Sequence, residues 1–218
     1  YGETIAAQGG LKVTTTVDLE VQDMAQKHVT DNVEKLANLR VGNGAALVTK
    51  PKTGEVLATV GSRDAFDTEQ ESNVNVTIAK RQPGSSIKPI NYAAALAKKL
   101  ITPATVIMDV PTTFSGGPQP YKPVNYDGKF HGPVQIRYAL GNSYNIPAVK
   151  VLALNGVGEM IKTAREMGIN SFEDESRYGL SLTLGGGEVK MTEMATAFGV
   201  FAKEGERVDL MPVLKIED

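Results

Sequence analysis

The sequence predicts an α+β domain, because segments with apolar residues at helical spacing are mixed with two apolar runs flanking a Pro-Gly connection. Residues 11–17 (LKVTTTV) are β-branched and alternate, which reads as a strand. Asp18 then reads as the N-cap of a helix from Leu19 to about Leu39, with Val21, Met24, Ala25, His28, Val29, Val33 and Leu36 on its apolar side. The runs at 44–50 and 55–61 surround Pro51-Lys52-Thr53-Gly54, the chemistry of a β-hairpin turn. Residues 62–80 are polar and irregular.

Helical pattern resumes at Ser85 and continues to about Leu100. Residues 103–133 hold many of the prolines, Gly116-Gly117, Tyr121, Tyr126 and Phe130, and read as an ordered loop whose aromatics can pack. Further helices are expected over 134–140, from near Ile146 to Asn155-Gly156, over 158–167 and over 190–203. Residues 1–40 read as a lead-in strand and helix, and 41–218 as the main domain.

Composition narrows the function. A hydrophobic fraction of 41% supports a packed core. With a net charge of −2 and no basic stripe, nucleic acid is not an expected partner. The absence of cysteine removes disulfides, thiolate metal sites and cysteine nucleophiles. The two histidines, His28 and His131, share no metal-ligand spacing and sit in no triad motif. No cofactor is implied. No run approaches the roughly 20 apolar residues that span a bilayer. The opening at Tyr1, not Met, reads as mid-protein sequence, so the chain is expected to be a piece of a larger protein.

The informative segment is Arg81-Gln82-Pro83-Gly84-Ser85-Ser86-Ile87-Lys88-Pro89. A serine hydroxyl is a weak nucleophile until a base takes its proton. Lys88, three residues on, lies one helical turn away on the same face. Burial would lower its pKa towards a useful base. A helix start at Ser85 adds free N–H groups that favour developing negative charge, and the Ser85 N–H can serve as one oxyanion donor. Pro89 is compatible with this only if the helix starts at about Ser85. A bare S-x-x-K is also met by an N-cap serine followed by a solvated lysine.

A second segment is Gly141-Asn142-Ser143-Tyr144-Asn145-Ile146-Pro147-Ala148. In an extended loop Ser143 and Asn145 would point into one cleft. The hydroxyl could relay a proton, and the carboxamide could hold both Lys88 and a substrate amide. The same words also read as a loop entering a helix with Pro in its first turn.

S-x-x-K followed by S-x-N is the signature of penicillin-binding proteins and serine β-lactamases. Arg81 to Pro89 followed by Tyr92-Ala93-Ala94-Ala95-Leu96 resembles the active-site helix of class A penicillin-binding proteins. Ala139-Leu140, Ser143 and Asn145-Ile146-Pro147-Ala148-Val149 resemble their S-x-N segment. Gly10-Leu11-Lys12-Val13, Thr15-Thr16-Val17-Asp18 and Gln22 resemble the opening of their transpeptidase module, and Leu182 to Phe201 a late helical segment. The likeness covers essentially the whole chain.

It implies a transpeptidase fold, an antiparallel sheet flanked by helices. It also implies an acyl-serine D,D-transpeptidase using Ser85, Lys88, Ser143 and Asn145 on peptidoglycan stem peptides, open to β-lactams. A D,D-carboxypeptidase or β-lactam hydrolase uses the same motifs, and a catalytically silent scaffold is the alternative of a different class. The implied location is the extracytoplasmic face of a bacterial membrane, in a membrane-anchored parent.

The family's third motif, K-T-G with a following hydroxyl residue, is expected downstream of Asn145. Lys52-Thr53-Gly54 lies upstream, is followed by Glu55, and is explained as a hairpin turn. Lys162-Thr163-Ala164 lies in a predicted helix. The chain is therefore expected to be the N-terminal portion of the domain, with an incomplete sheet that pairs with a complementary C-terminal fragment or a second copy. Gly185-Gly186-Gly187 lacks the Lys-Ser/Thr of a phosphate loop.

Overall fold

A computed structural model describes residue 7 and residues 9–66, 74–115 and 119–217. The elements run β1 (Lys12–Thr15), α1 (Leu19–Lys35), β2 (Ala46–Lys50), β3 (Glu55–Val60), α2 (Lys88–Ala97), β4 (Val106–Asp109), β5 (Gly132–Gln135), α3 (Ile136–Gly141), α4 (Asn145–Asn155), α5 (Val157–Glu166), α6 (Met191–Ala202) and β6 (Val213–Glu217). The mixed α+β class holds. Antiparallel pairing is present, among the described residues, as three separate two-stranded ladders: β1 with β6, β2 with β3 and β4 with β5.

Three strands depart from expectation. Residues 103–133 contain a strand pair, although Gly116-Gly117 lie outside the described residues. β5 contains Gly132 and Pro133 and is four residues long, so neither propensity nor length marked it. It also takes residues 134–135, delaying α3 to Ile136. β6, whose middle residues are solvent-exposed, carried no core pattern to announce it.

The chain divides into two compact units, residues 1–80 with 190–218, and residues 81–189. In the first, Asp18 caps α1 by accepting from the N–H groups of Glu20 (3.0 Å) and Val21 (3.2 Å), as its side-chain chemistry predicts. Alternate residues of β3, Val56, Ala58 and Val60, are buried. Backbone groups of β3 are met from the lead-in segment. The Thr16 hydroxyl donates to the Val56 carbonyl (2.7 Å) and accepts its N–H (3.0 Å), while Gln22 bonds both backbone groups of Thr59. These contacts cover polar backbone that would otherwise face solvent or a foreign strand.

Lys52-Thr53-Gly54 forms the β2–β3 turn. Gly54 has φ +78°, donates to the Lys50 carbonyl (2.9 Å), and accepts from the Met211 N–H (2.7 Å). A Cβ at Gly54 would run into the backbone of Asp209. The glycine is needed for the turn and for that close approach.

In the second unit, α4 is buried almost all round: Ile146, Ala148, Val149, Val151 and Leu152 are fully enclosed. A helix apolar on every face belongs in a core. Tyr92 and Ala95 of α2, Ile136 of α3 and Ile101 pack with Ala148 and Val151. Each large side chain so buried contributes about 1.5–3 kcal/mol. The unit closes on itself where Arg81 and Val189 exchange backbone hydrogen bonds of 2.9 and 3.0 Å.

Candidate active site

Ser85 lies in a 3-10 turn, Gly84–Ile87, that runs directly into α2 at Lys88. Pro89 is thus the second residue of α2, where its missing N–H would have had no intrahelical partner. The entry is tightly built. Gly84 has φ +57° and Gly185 has φ +87°. A Cβ on Gly185 would overlap the backbone of Gly84. The triple glycine therefore contributes a backbone-on-backbone contact behind the Ser85 turn, a role its composition did not disclose. Ser85 is exposed, whereas Lys88 is 1% exposed.

The Lys88 ammonium is enclosed by acceptors from one short segment. It donates to the Ser143 carbonyl (2.6 Å), the Ser143 hydroxyl (3.1 Å) and the Asn145 Oδ1 (2.6 Å). Removal from water disfavours the charged form and lowers its pKa from 10.5 to about 8. A lysine so placed is neutral in a substantial fraction of molecules just above neutral pH, as a general base requires.

The structure brings Ser143 and Asn145 together with Lys88, though not through an extended loop. α3 ends in a Schellman motif: Tyr144 N–H bonds the Ala139 carbonyl (3.0 Å) and Ser143 N–H bonds that of Leu140 (2.9 Å). Ser143 occupies the left-handed position, φ +56°, where glycine is usual. Tyr144 is extended, and Asn145 opens α4, with Pro147 in its first turn. Of the two sequence readings, the loop entering a helix with Pro in its first turn is the one found, whereas the extended loop gives way to a left-handed Ser143 at a helix cap. A helix stop at Gly141 and a helix start at Asn145, three residues between them, turn Ser143 and Asn145 onto the same lysine.

A buried polar network lies behind Asn145, and sequence reasoning missed it. Asn125 accepts the Asn145 N–H on its Oδ1 (2.7 Å), and Asn145 Nδ2 donates to the Val124 carbonyl (2.7 Å). Asn125 Nδ2 donates to both oxygens of Asp109 (3.0 and 2.8 Å) and to the Lys129 carbonyl (2.8 Å). Asp109 is fully buried and Asn125 is 3% exposed. Asp109 also accepts from the backbone N–H of His131 (3.0 Å) and faces its ring Nδ1 (2.6 Å), while Nε2 faces Asp127 (3.1 Å). The His131 ring stacks on Tyr144, centroids 4.0 Å apart. The signal available in sequence was the packed aromatic loop itself, since polar residues inside such a loop must find partners when buried.

Comparison with known proteins agrees with these motifs. The family model described as penicillin binding protein transpeptidase domain matches residues 44–218. Penicillin-binding protein 2D of Bacillus subtilis is 34% identical over 96% of this chain and 29% of its own length. Penicillin-binding protein 1C of Escherichia coli is 34% identical over 89% of the chain and 25% of its own length. The chain thus spans under a third of each of these relatives. Among solved structures, penicillin-binding protein 1A of Haemophilus influenzae matches with a TM-score of 0.71 at 29% identity, over 81% of this chain and 26% of that one. The penicillin-binding protein PonA1 of Mycobacterium tuberculosis, with a TM-score of 0.82 at 24% identity over 99% of this chain and 56% of that one, shares the fold. The chain belongs to the transpeptidase domain family of class A penicillin-binding proteins.

Proposed function

We propose that this chain carries the acyl-serine centre of a peptidoglycan D,D-transpeptidase. The observation that supports it most is the buried Lys88, its pKa lowered to about 8, held by Ser143 and Asn145 one turn after an exposed serine at a helix entry. In this reading the Ser85 Oγ attacks the carbonyl of the penultimate D-alanine and its proton passes to Lys88. The developing oxyanion is met by the Ser85 N–H, an orphan donor of the first turn. The C–N bond breaks as the leaving D-alanine amine takes a proton through Ser143, leaving an acyl-enzyme. An amine from another stem peptide then attacks the ester, and Ser85 regains its proton. Asn145 holds Lys88 and the substrate amide. A β-lactam presents the same acyl donor in a strained ring and would acylate Ser85.

The parent protein is placed by this proposal at the extracytoplasmic face of a bacterial membrane. Among the described residues no helix is long and apolar enough to cross a membrane. The β1–β6 ladder exposes Val13, Leu214 and Ile216, which supports pairing with a complementary fragment or second copy. Sedimentation of the isolated chain should show association with rising concentration, and a persistent monomer would count against it. The lead-in of residues 1–40 is retained in the same proposal.

The site is tested by mass spectrometry of the full-length protein treated with a labelled penicillin. The expected adduct sits on the peptide containing Ser85 and disappears in Ser85→Ala. A label that persists in that variant refutes the assignment. Product analysis with a D-Ala-D-Ala peptide and an acceptor amine separates transfer from hydrolysis, and the expected product is the amide.

A further inference from the structure

We propose that Asp109 and Asn125 are positioning residues that decide which atom of Asn145 faces Lys88; the inference rests on reading Ser85 and Lys88 as nucleophile and base. A carboxamide has an oxygen that only accepts and a nitrogen that only donates. Its shape does not decide which points where, so neighbours with a single role must. At Asn125 those neighbours are the Asp109 carboxylate and the Lys129 carbonyl, both acceptors, and both take the Nδ2. The Oδ1 is left for the Asn145 N–H, one of the first-turn donors of α4 that the helix itself cannot satisfy.

The same logic repeats one step along. The Val124 carbonyl takes the Nδ2 of Asn145, which turns its Oδ1 onto the Lys88 ammonium. Val124 and Asn125 are consecutive, so the hold of Asp109 on Asn125 also places the Val124 carbonyl. Were Asn145 flipped, its NH2 would meet the ammonium, donor against donor. Asp109 is held in turn by the backbone N–H and the ring of His131.

The consequence falls on Lys88 when it is neutral. It then has two N–H groups and one lone pair. The Ser143 carbonyl and the Asn145 Oδ1 can only accept, so they hold the two N–H groups. The third position, facing the Ser143 hydroxyl, then holds the lone pair and is where the amine can take a proton. Losing the order of Asn145 removes that assignment.

The experiment compares wild type, Asn125→Ala and Asn125→Asp in the full-length protein, reading the rate of acylation by a labelled penicillin from about pH 5.5 to about 8.5. Rates are expressed relative to wild type at each pH, with melting monitored in parallel. Asn125→Ala should acylate about tenfold more slowly at every pH, because a buried donor and acceptor lose their partner. In Asn125→Asp, two carboxylates face each other, so one binds a proton more readily than usual. The protonated acid again offers a donor to Asp109 and an acceptor to Asn145. Its relative rate should therefore rise as pH falls.

The other titratable groups facing this pair are His131, with Asp127 behind it, and Lys88 beyond Asn145; a carboxylate at position 125 favours the Lys88 ammonium, which lowers the relative rate as pH falls and so is opposite in sign to the rise expected. A flat ratio for Asn125→Asp, or a wild-type rate for Asn125→Ala, overturns the proposal. If Asn125→Ala does not fold, the Asn125→Asp profile decides. A second readout needs no activity: amide hydrogen exchange at Asn145 should accelerate in both variants near neutral pH, and unchanged exchange also overturns the proposal. Wild-type protein without a label on Ser85 would refute the reading of the nucleophile, and the exchange result would still judge the positioning.

Discussion

Lys88 is the residue on which chemistry and stability pull in opposite directions. Its folded pKa, about 8, lies below its unfolded value of 10.5. Below pH 8 the folded state must hold a buried cation, so the group costs stability there. Between about pH 8 and 10.5 the unfolded chain binds more protons than the folded one, and stability rises with pH across that window. Lys88→Met should therefore show its largest melting-temperature advantage over wild type near neutral pH, shrinking as pH approaches 10. A difference independent of pH would show that the folded pKa is not depressed. Catalysis follows the same sign, because the acylation rate should climb with pH through about 8 as the neutral amine accumulates. By contrast, Lys52 is exposed in a turn, and Lys52→Ala should change the acylation rate less than twofold, which separates the upstream K-T-G from the site.

At the scale of elements, the junction between α3 and α4 shows why only part of the site was legible. S-x-N and S-x-x-K are spacings, and spacing is what sequence carries directly. That Ser143 and Asn145 converge was readable; that they do so through a left-handed serine at a Schellman cap was not. A non-glycine residue there is set by tertiary need, not by propensity. The Asp109–Asn125 pair was harder still, because β4 and β5 are short, include Gly132 and Pro133, and pair across 20-odd residues of loop. The helices, with their apolar periods, were read to within about four residues at each end. Two outcomes test the junction. Ser143→Gly and Ser143→Ala should both lose acylation, but the glycine variant should be more stable than the alanine one by about 1 kcal/mol in urea unfolding, since only glycine adopts positive φ without strain. Gly185→Ala should reduce acylation at least about tenfold by displacing the Gly84–Ser85 backbone, and wild-type kinetics would show that the contact does not set the nucleophile turn.

For the whole molecule, the division into one continuous and one interrupted unit places every proposed site residue within residues 81–189. Burial within that stretch is extensive, so a fragment of residues 81–189 should fold and retain slow exchange at the amides of α4. A fragment without cooperative unfolding would show that its core needs the remaining chain.

The hydrogen-bonded pair of Arg81 and Val189 also bears on the order of assembly. Joining β1 to β6 requires Lys12 to find Glu217 across nearly the whole chain. If the stretch between Arg81 and Val189 condenses first, its two ends emerge side by side and the excursion is roughly halved. Halving a loop lowers its closure cost by only about 0.6 kcal/mol. So small a term is felt as pace, not as stability. Severing that clasp should slow the joining of the two chain ends by about threefold, besides removing two backbone hydrogen bonds worth roughly 0.5–1.5 kcal/mol each.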